Sequence, residues 1–255
     1  VLLVIDAGNT NITLGVYKSD ELLFVSRLAT DRTVTEDEFA IKINSIFKLN
    51  GIEPNEFSGA IISSVVPEIS RSLIKGVKIV TGKEPVLIGP GVKTGLNIKI
   101  DNPSELGADL CATAVGALNR YELPLIIVDL GTATKISVLD ENGAFLGVSI
   151  APGMLLSLDA LASGASQLSS IALRSPKKTI ATNTTESIRV GMVYGTAEMI
   201  DGIIDRMTEE MDVPPKTIVA TGGLCPAVIK HCRHSILVNK DLLMEGLCDI
   251  YKKNQ

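Results

Sequence analysis

Two apolar strands, each running straight into an acidic, glycine-bearing turn, lie about half a chain apart and constrain every fold open to this sequence. The first run, Val1 to Ile5, leads into Asp6, Gly8, Asn9 and Thr10; the second, Leu125 to Val128, leads into Asp129, Gly131, Thr132 and Thr134. In each copy a carboxylate ends the strand, a glycine permits close backbone approach, and short hydroxyl or amide side chains join main-chain N–H groups in facing an anion. One such turn is a weak signal. Two in the same order predict a pair of related lobes with a nucleotide between them, and Thr221-Gly222-Gly223 after a third short strand adds another glycine turn suited to packing against a base or ribose.

Composition narrows the partners. A chain of 255 residues with 45% hydrophobic and 21% charged residues can bury a substantial core. With 24 Lys plus Arg against 29 Asp plus Glu and no basic stripe interleaved with aromatics, nucleic acid is not an expected partner. No apolar run reaches the ~18 residues a membrane span needs, and the apolar start meets Asp6 at once, unlike a signal peptide, so a cytoplasmic protein off the membrane is expected. Cys111, Cys225, Cys232 and Cys248 form no C-x-x-C pair and read as reduced thiols. The spacing of Cys225, His231, Cys232 and His234 matches no standard zinc pattern, and a helix end leading into a strand is the preferred reading there.

Periodicity fills in both halves. Ile12 to Tyr17 and Leu22 to Leu28 read as a hairpin, Glu36 to Leu49 as a helix with Phe39, Ile43, Ile46 and Phe47 on one face, and Ala60 to Ile62 as a buried strand. Pro67 starts a short helix and Pro85 to Ile88 is a strand. In the second half, Ile136 to Leu139 and Phe145 to Ile150 form a hairpin around Asn142-Gly143, followed by helices at Met154 to Leu161 and Glu186 to Met211. Strands at Ile218 to Ala220 and Ile236 to Val238 precede a closing helix, Leu242 to Tyr251. Glu105 to Asn119 is the connecting helix, which places the lobes at residues 1–117 and 118–255.

The paired turns, the carboxylates Asp6 and Asp129 and the third glycine turn converge on phosphoryl transfer. The chain resembles the type III pantothenate kinases through the Asp6 to Thr13 turn, Ser63 to Pro67, Pro90 to Leu96, Asn102 to Asp109, Asp129 to Thr134, Ala151 to Gly153, Asn183-Thr184 and Thr221 to Gly223. That resemblance implies an α/β fold of two ribonuclease-H-like lobes, as in actin-like ATPases, with a nucleotide cleft between them. It also implies a homodimer, Mg-ATP as phosphoryl donor, pantothenate as acceptor at the first step of coenzyme A synthesis, and a monovalent cation, potassium or ammonium.

Carried over by position, the resemblance implies that Asp6, Ala7, Gly8, Asn9, Thr10, Asn11, Ile12 and Thr13 cradle the triphosphate, with Asp6 beside magnesium and Thr132, Gly222 and Gly223 also on ATP. Asp129 would ligate potassium. Asp109 corresponds to the general base, and Ile100, Gly107, Ala108, Leu110 and Thr184 line the pantothenate site. Plainer readings stand beside these: a first-turn helix acid for Asp109, strand-end carboxylates for Asp6 and Asp129, and a helix cap for Thr184. Ile100 stands where the family has tyrosine and Leu110 where it has arginine. Lys135 and Ser137 replace a threonine and an acidic or amide residue, so the Lys135 ammonium is an alternative occupant of the cation's place, with a solvent-facing lysine as the other reading. Two functions are compatible with these residues: an active kinase, favoured by the intact Asp6, Asp109 and Asp129, and a non-catalytic nucleotide-binding relative acting as a heteromeric regulatory partner, favoured by Ile100, Leu110 and Lys135.

Overall fold

The chain runs through β1 (Leu2–Ala7), β2 (Asn11–Lys18), β3 (Glu21–Ala29), α1 (Glu36–Leu49), β4 (Gly59–Ser64), α2 (Pro67–Thr81), β5 (Val86–Leu87), β6 (Asn97–Ile98) and α3 (Ala108–Leu118). It continues with β7 (Leu125–Leu130), β8 (Ala133–Leu139), β9 (Ala144–Pro152), α4 (Met154–Ser163), α5 (Thr184–Arg189), α6 (Gly195–Glu210), β10 (Thr217–Thr221), α7 (Cys225–Val228), β11 (Leu237–Val238) and α8 (Leu242–Lys253). This computed structural model describes residues 1–163 and 171–255. Two compact units emerge. The first comprises Val1–Leu96, Asn102–Gly116 and Leu243–Gln255, and the second comprises Asn97–Asp101 and Ala117–Leu242.

Each unit is built on a sheet of the same topology. In the first, the order is β3-β2-β1-β4-β5, with β1 antiparallel to β2 and parallel to β4. In the second, β9-β8-β7-β10-β11 repeats that order, β7 again running antiparallel to its hairpin partner β8 and parallel to the later strand β10, while β6 is added beside β9. The repeated turns therefore occupy the same topological place, the carboxyl end of the first strand of each sheet, where open α/β sheets receive ligands.

Alternation within β1 explains why an unbroken apolar run was needed there. Leu3 and Ile5 face a core with Phe39, Ile43, Ile69 and Leu73 of α1 and α2, whereas Leu2 and Val4 face Ala112 and Val115 of α3 and Leu247 of α8. A strand covered by helices on both sides has no polar face. The start of α1 is fixed by a reciprocal cap in which Thr35 Oγ1 accepts from Glu38 N and Glu38 Oε2 accepts from Thr35 N. Gly76 brings α2 against α1, since a Cβ there would meet Phe39 Cβ at 2.6 Å.

The second core joins Ile126, Val128 and Leu130 of β7 to Val193, Ala197, Ile200 and Ile204. The expected long helix is present, beginning at Thr184 and ending at Glu210, but a wider turn over Val190–Tyr194 separates α5 from α6. Such single wide turns insert a residue into the helical ladder and rotate the helix beyond them. Pro67 opens a helix of 15 residues rather than a short one, and the strand expected at Pro85 to Ile88 is reduced to Val86–Leu87. Among the described residues no helix is long and apolar enough to cross a membrane.

Candidate functional site

In the first unit, Asp6 ends β1 opposite Thr13 of β2 and Ser63 of β4. The fully buried Ser63 hydroxyl donates to Asp6 Oδ1 at 3.0 Å, orienting the carboxylate. The turn beyond it is tied down by Gly8 N donating to Asn11 O at 3.0 Å, and by Thr30 at the end of β3, whose hydroxyl donates to Gly8 O at 2.6 Å and whose N–H donates to Thr10 O at 3.0 Å. A Cβ on Gly8 would meet Asn11 O at 3.2 Å, so the glycine permits this tight return. Asn9, Thr10 and Asn11 are exposed. Ala7 and Ile12 are fully buried, which leaves only their backbone groups available to a ligand.

Asp109 occupies the first turn of α3, and its Oδ1 accepts from Leu110 N at 2.8 Å. Gly107 lies so close that a Cβ there would stand 2.7 Å from the same oxygen, and any side chain would press on the carboxylate. The same Cβ position is 4.0 Å from Val65 Cγ1, while Val65 N donates to Ala7 O at 3.1 Å. The segment Ser63 to Val65 therefore meets both the strand end that leads into the turn after Asp6 and the glycine beside Asp109. Ala108 and Leu110 are half-buried beside the carboxylate.

In the second unit Asp129 lies opposite Lys135 across the β7–β8 ladder. The ammonium of Lys135 sits 2.9 Å from Asp129 Oδ2, with both side chains only about 15% exposed. Lys135 points to the carboxylate rather than to solvent. Ser137 is buried farther along β8. The turn itself is closed by Gly131 N donating to Ala133 O at 3.1 Å and by Gly153 N donating to Thr132 O at 3.0 Å. A Cβ on Gly153 would collide with the carbonyls of Thr132 and Gly131, and Gly222, at φ +99°, packs against the backbone of Leu130. Gly222 is thus required to dock β10 onto β7, whereas Gly223 faces open space. Thr132 is exposed at the tip of the turn.

Ile100 follows β6 in the second unit, and Thr184 is exposed at the start of α5. Asn183, not Thr184, caps that helix, its Oδ1 accepting from Glu186 N at 3.0 Å. The Cys225 to His234 cluster is dispersed among separate partners. Cys225 Sγ donates to Thr221 O at 2.9 Å, His231 Nε2 lies 2.9 Å from Ser175 Oγ, and His234 Nε2 lies 2.8 Å from Asp205 Oδ1. Burial, together with the Asp129 charge at Cys225 and the Asp201 charge at Cys232, pushes both thiols up to about 12, so they stay protonated at neutral pH. All four cysteines are free.

Sequence reasoning gave no role to Ser63, Thr30 or Gly153. Ser63 and Gly153 fall within stretches shared with a known family, but their function needs the pairing of β4 with β1 and the approach of β9 to the β7–β8 turn. Within the first unit the donor set fits a magnesium-bound polyphosphate: the hard carboxylate oxygens of Asp6, the glycine turn after it, and the exposed Asn9, Thr10 and Asn11 beside them.

A family model described as type III pantothenate kinase matches residues 2–206. The chain is 42% identical over 254 residues to a type III pantothenate kinase of Halalkalibacterium halodurans and 41% identical over 255 residues to one of Exiguobacterium sp., covering all of both chains in each case. Among solved structures it is similar to the activator of 2-hydroxyisocaproyl-CoA dehydratase from Clostridium difficile with bound ADPNP, with a TM-score of 0.59 at 12% identity over 99% of this chain and 96% of that one. At that identity the likeness speaks for the fold, that of the actin-like ATPases and sugar kinases.

Proposed function

The chain belongs to the type III pantothenate kinase family, and from that premise we propose that Asp109 accepts the proton of the pantothenate primary hydroxyl as that oxygen attacks the γ-phosphorus of ATP. Family membership makes it an ATP-dependent kinase that works with a divalent metal on a small-molecule acceptor, at the first step of coenzyme A synthesis. The observation that carries the assignment of the base is the segment Ser63 to Val65, which holds Asp6 through Ser63 and lies against Gly107, next to Asp109. It links the phosphate turn and the base within one unit.

Bound Mg-ATP supplies the phosphoryl group and a divalent charge that offsets the oxygens. The residues of the chain do the rest. Backbone groups of Ala7, Gly8 and Ile12, with Asn9, Thr10, Asn11 and Thr13, orient the triphosphate in the first turn, while Asp6 holds the magnesium. Thr132 donates to phosphate from the second turn, and Gly223, held in place by the docked Gly222, leaves room for the nucleoside. Gly107 keeps the approach to Asp109 open, so that the acceptor hydroxyl reaches hydrogen-bond distance of the carboxylate. Ile100, Ala108, Leu110 and Thr184 complete the acceptor site. Leucine at 110 offers no guanidinium to the pantothenate carboxylate, and the lost charge-assisted bond costs about 1.5–3 kcal/mol, or roughly one to two decades of affinity relative to arginine there.

Beside Ile100 and Leu110, a further departure concerns the monovalent cation that the family resemblance implies. With Lys135 Nζ already 2.9 Å from Asp129, a tethered ammonium fills the place that potassium would take. A homodimer completes the reading, supported by the exposed apolar side chains Leu146 and Ile150 of β9 and Leu155, Leu156 and Leu161 of α4, of the kind a second copy covers. Four free thiols agree with the reducing cytoplasm in which coenzyme A synthesis would draw on ATP. The full-length match to pantothenate kinases supports the active kinase over the non-catalytic partner.

The test is direct. Incubation with Mg-ATP and pantothenate yields phosphopantothenate, and Asp109→Asn lowers the turnover by about 10²- to 10⁴-fold while leaving ATP affinity within twofold. Equal turnover in wild type and variant removes Asp109 from its role.

A further inference from the structure

The chain carries a net charge of −5, yet one cavity of the second unit collects basic side chains. Its volume is about 380 Å³, and Arg174, Lys177, Lys178 and Arg189 line it together with the hydroxyl-bearing Thr182 and Thr185. Glu186 is the single acid in the wall. Its Oε1 accepts from Arg189 Nη1 at 2.6 Å and lies 3.9 Å from Arg174 Nη2, and its Oε2 accepts from Lys177 N at 3.3 Å. The Arg189 bond, followed by the Lys177 N–H, holds the Glu186 carboxyl below the usual range, so at neutral pH one negative charge faces four positive ones.

Arg189 is anchored. Its side chain is 9% exposed and its Nε donates to Ala172 O at 3.0 Å, so it forms a fixed wall while Arg174, Lys177 and Lys178 stay exposed around the mouth. Like charges gathered in a concavity focus the field inward and favour an anion. Three uncompensated cations and two hydroxyls suit a dianion with several oxygens better than a single carboxylate.

We infer that this cavity is a second anion site that takes a small molecule bearing a phosphate group. None of its lining residues belongs to either phosphate turn, and it does not rest on the kinase reading. Asn183 and Thr185, which flank Thr184, both line it, so an occupant sits beside a position assigned above to the acceptor.

The test uses the full chain saturated with a magnesium-bound, non-hydrolysable ATP analogue, so that the donor site is filled through the γ-position, and follows the ³¹P linewidth of added inorganic phosphate, with phosphopantothenate and acetate as further arms. Phosphate broadens, Lys177→Gln/Lys178→Gln weakens its binding about tenfold with an unchanged thermal midpoint, and Asp109→Asn has no effect. Phosphopantothenate binding that the double variant weakens identifies an ester as the occupant; phosphate binding alone so weakened identifies free phosphate, and both uphold the site. Absent broadening, broadening indifferent to the double variant, or displacement by equimolar acetate would overturn it.

Discussion

Lys135 carries an ammonium onto the carboxylate of the second turn. It faces Asp129 because antiparallel pairing of β7 with β8 places the two directly across the ladder, and a lysine stem is long enough to bring its ammonium to 2.9 Å. A covalently attached cation has no dissociation equilibrium. Turnover is therefore expected to be the same in potassium and in a buffer whose only monovalent cation is bulky and organic, and Lys135→Thr is expected to create a potassium requirement. Steady-state rates in the two buffers check this, and strong potassium dependence of the wild type that Lys135→Thr leaves unchanged would reject it. Gly107 acts at the same scale by absence. Its lack of a side chain keeps the space beside Asp109 Oδ1 clear, which sequence shows only as a glycine before a helix.

Among the elements, the β8–β9 hairpin depends on a single carboxylate. Asp140 Oδ1 accepts from Asn142 N at 2.9 Å and Ala144 N at 2.8 Å, while Lys99 Nζ donates to Oδ2 at 3.0 Å. Burial pushes this carboxyl up, but the donors from Ala144, Lys99 and Asn142 outweigh it and hold it below the usual range. A depressed folded value means stability that is present above the unfolded value, near pH ~3.9, and lost as pH falls through the folded one. Asp140→Ala should cost about 2–3 kcal/mol at pH 7, and the gap to wild type should narrow below about pH 4. Chemical denaturation at pH 7 and pH 3 measures both, and a gap that stays constant would show that the charge is not what the turn uses. The Asn142-Gly143 signal made this turn legible in sequence, with Gly143 at φ +76° as such a turn requires. The wide turn at Val190–Tyr194 was not legible, because its apolar spacing is also that of an unbroken helix; only Gly191 within it and Gly195 just after it hint at a weak point.

At the scale of the whole molecule, the closing helix α8 belongs with the first unit, packing Met244, Leu247, Cys248 and Ile250 against Leu2, Val4, Ala112 and Val115. Gly246 makes that possible, since a Cβ there would collide with the backbone of Ala112. Alanine gains about 1 kcal/mol of helix propensity over glycine, but a clash with backbone cannot relax cheaply and costs about 1–3 kcal/mol or more. Gly246→Ala is therefore expected to lower the thermal midpoint and, because α3 carries Asp109, to lower kcat with it. A variant as stable and as active as wild type would show that α8 adjusts without disturbing α3.

Local pattern determined what is local in this protein. Apolar runs ending in Asp6 and Asp129, the helical spacing of Glu36 to Leu49 and the Asn142-Gly143 turn each carry their own geometry, because strand, helix and turn arise from neighbours a few residues apart. Repetition of the strand-and-turn unit was legible for the same reason, and the two sheets repeat one strand order. Tertiary structure alone decided which distant groups meet: Ser63 on Asp6, Lys135 on Asp129, the basic wall around Glu186, and the return of α8 to the first unit. Those meetings depend on strand register and on where a glycine lets two backbones touch, and both are fixed by the packing of the whole chain rather than by any window of it.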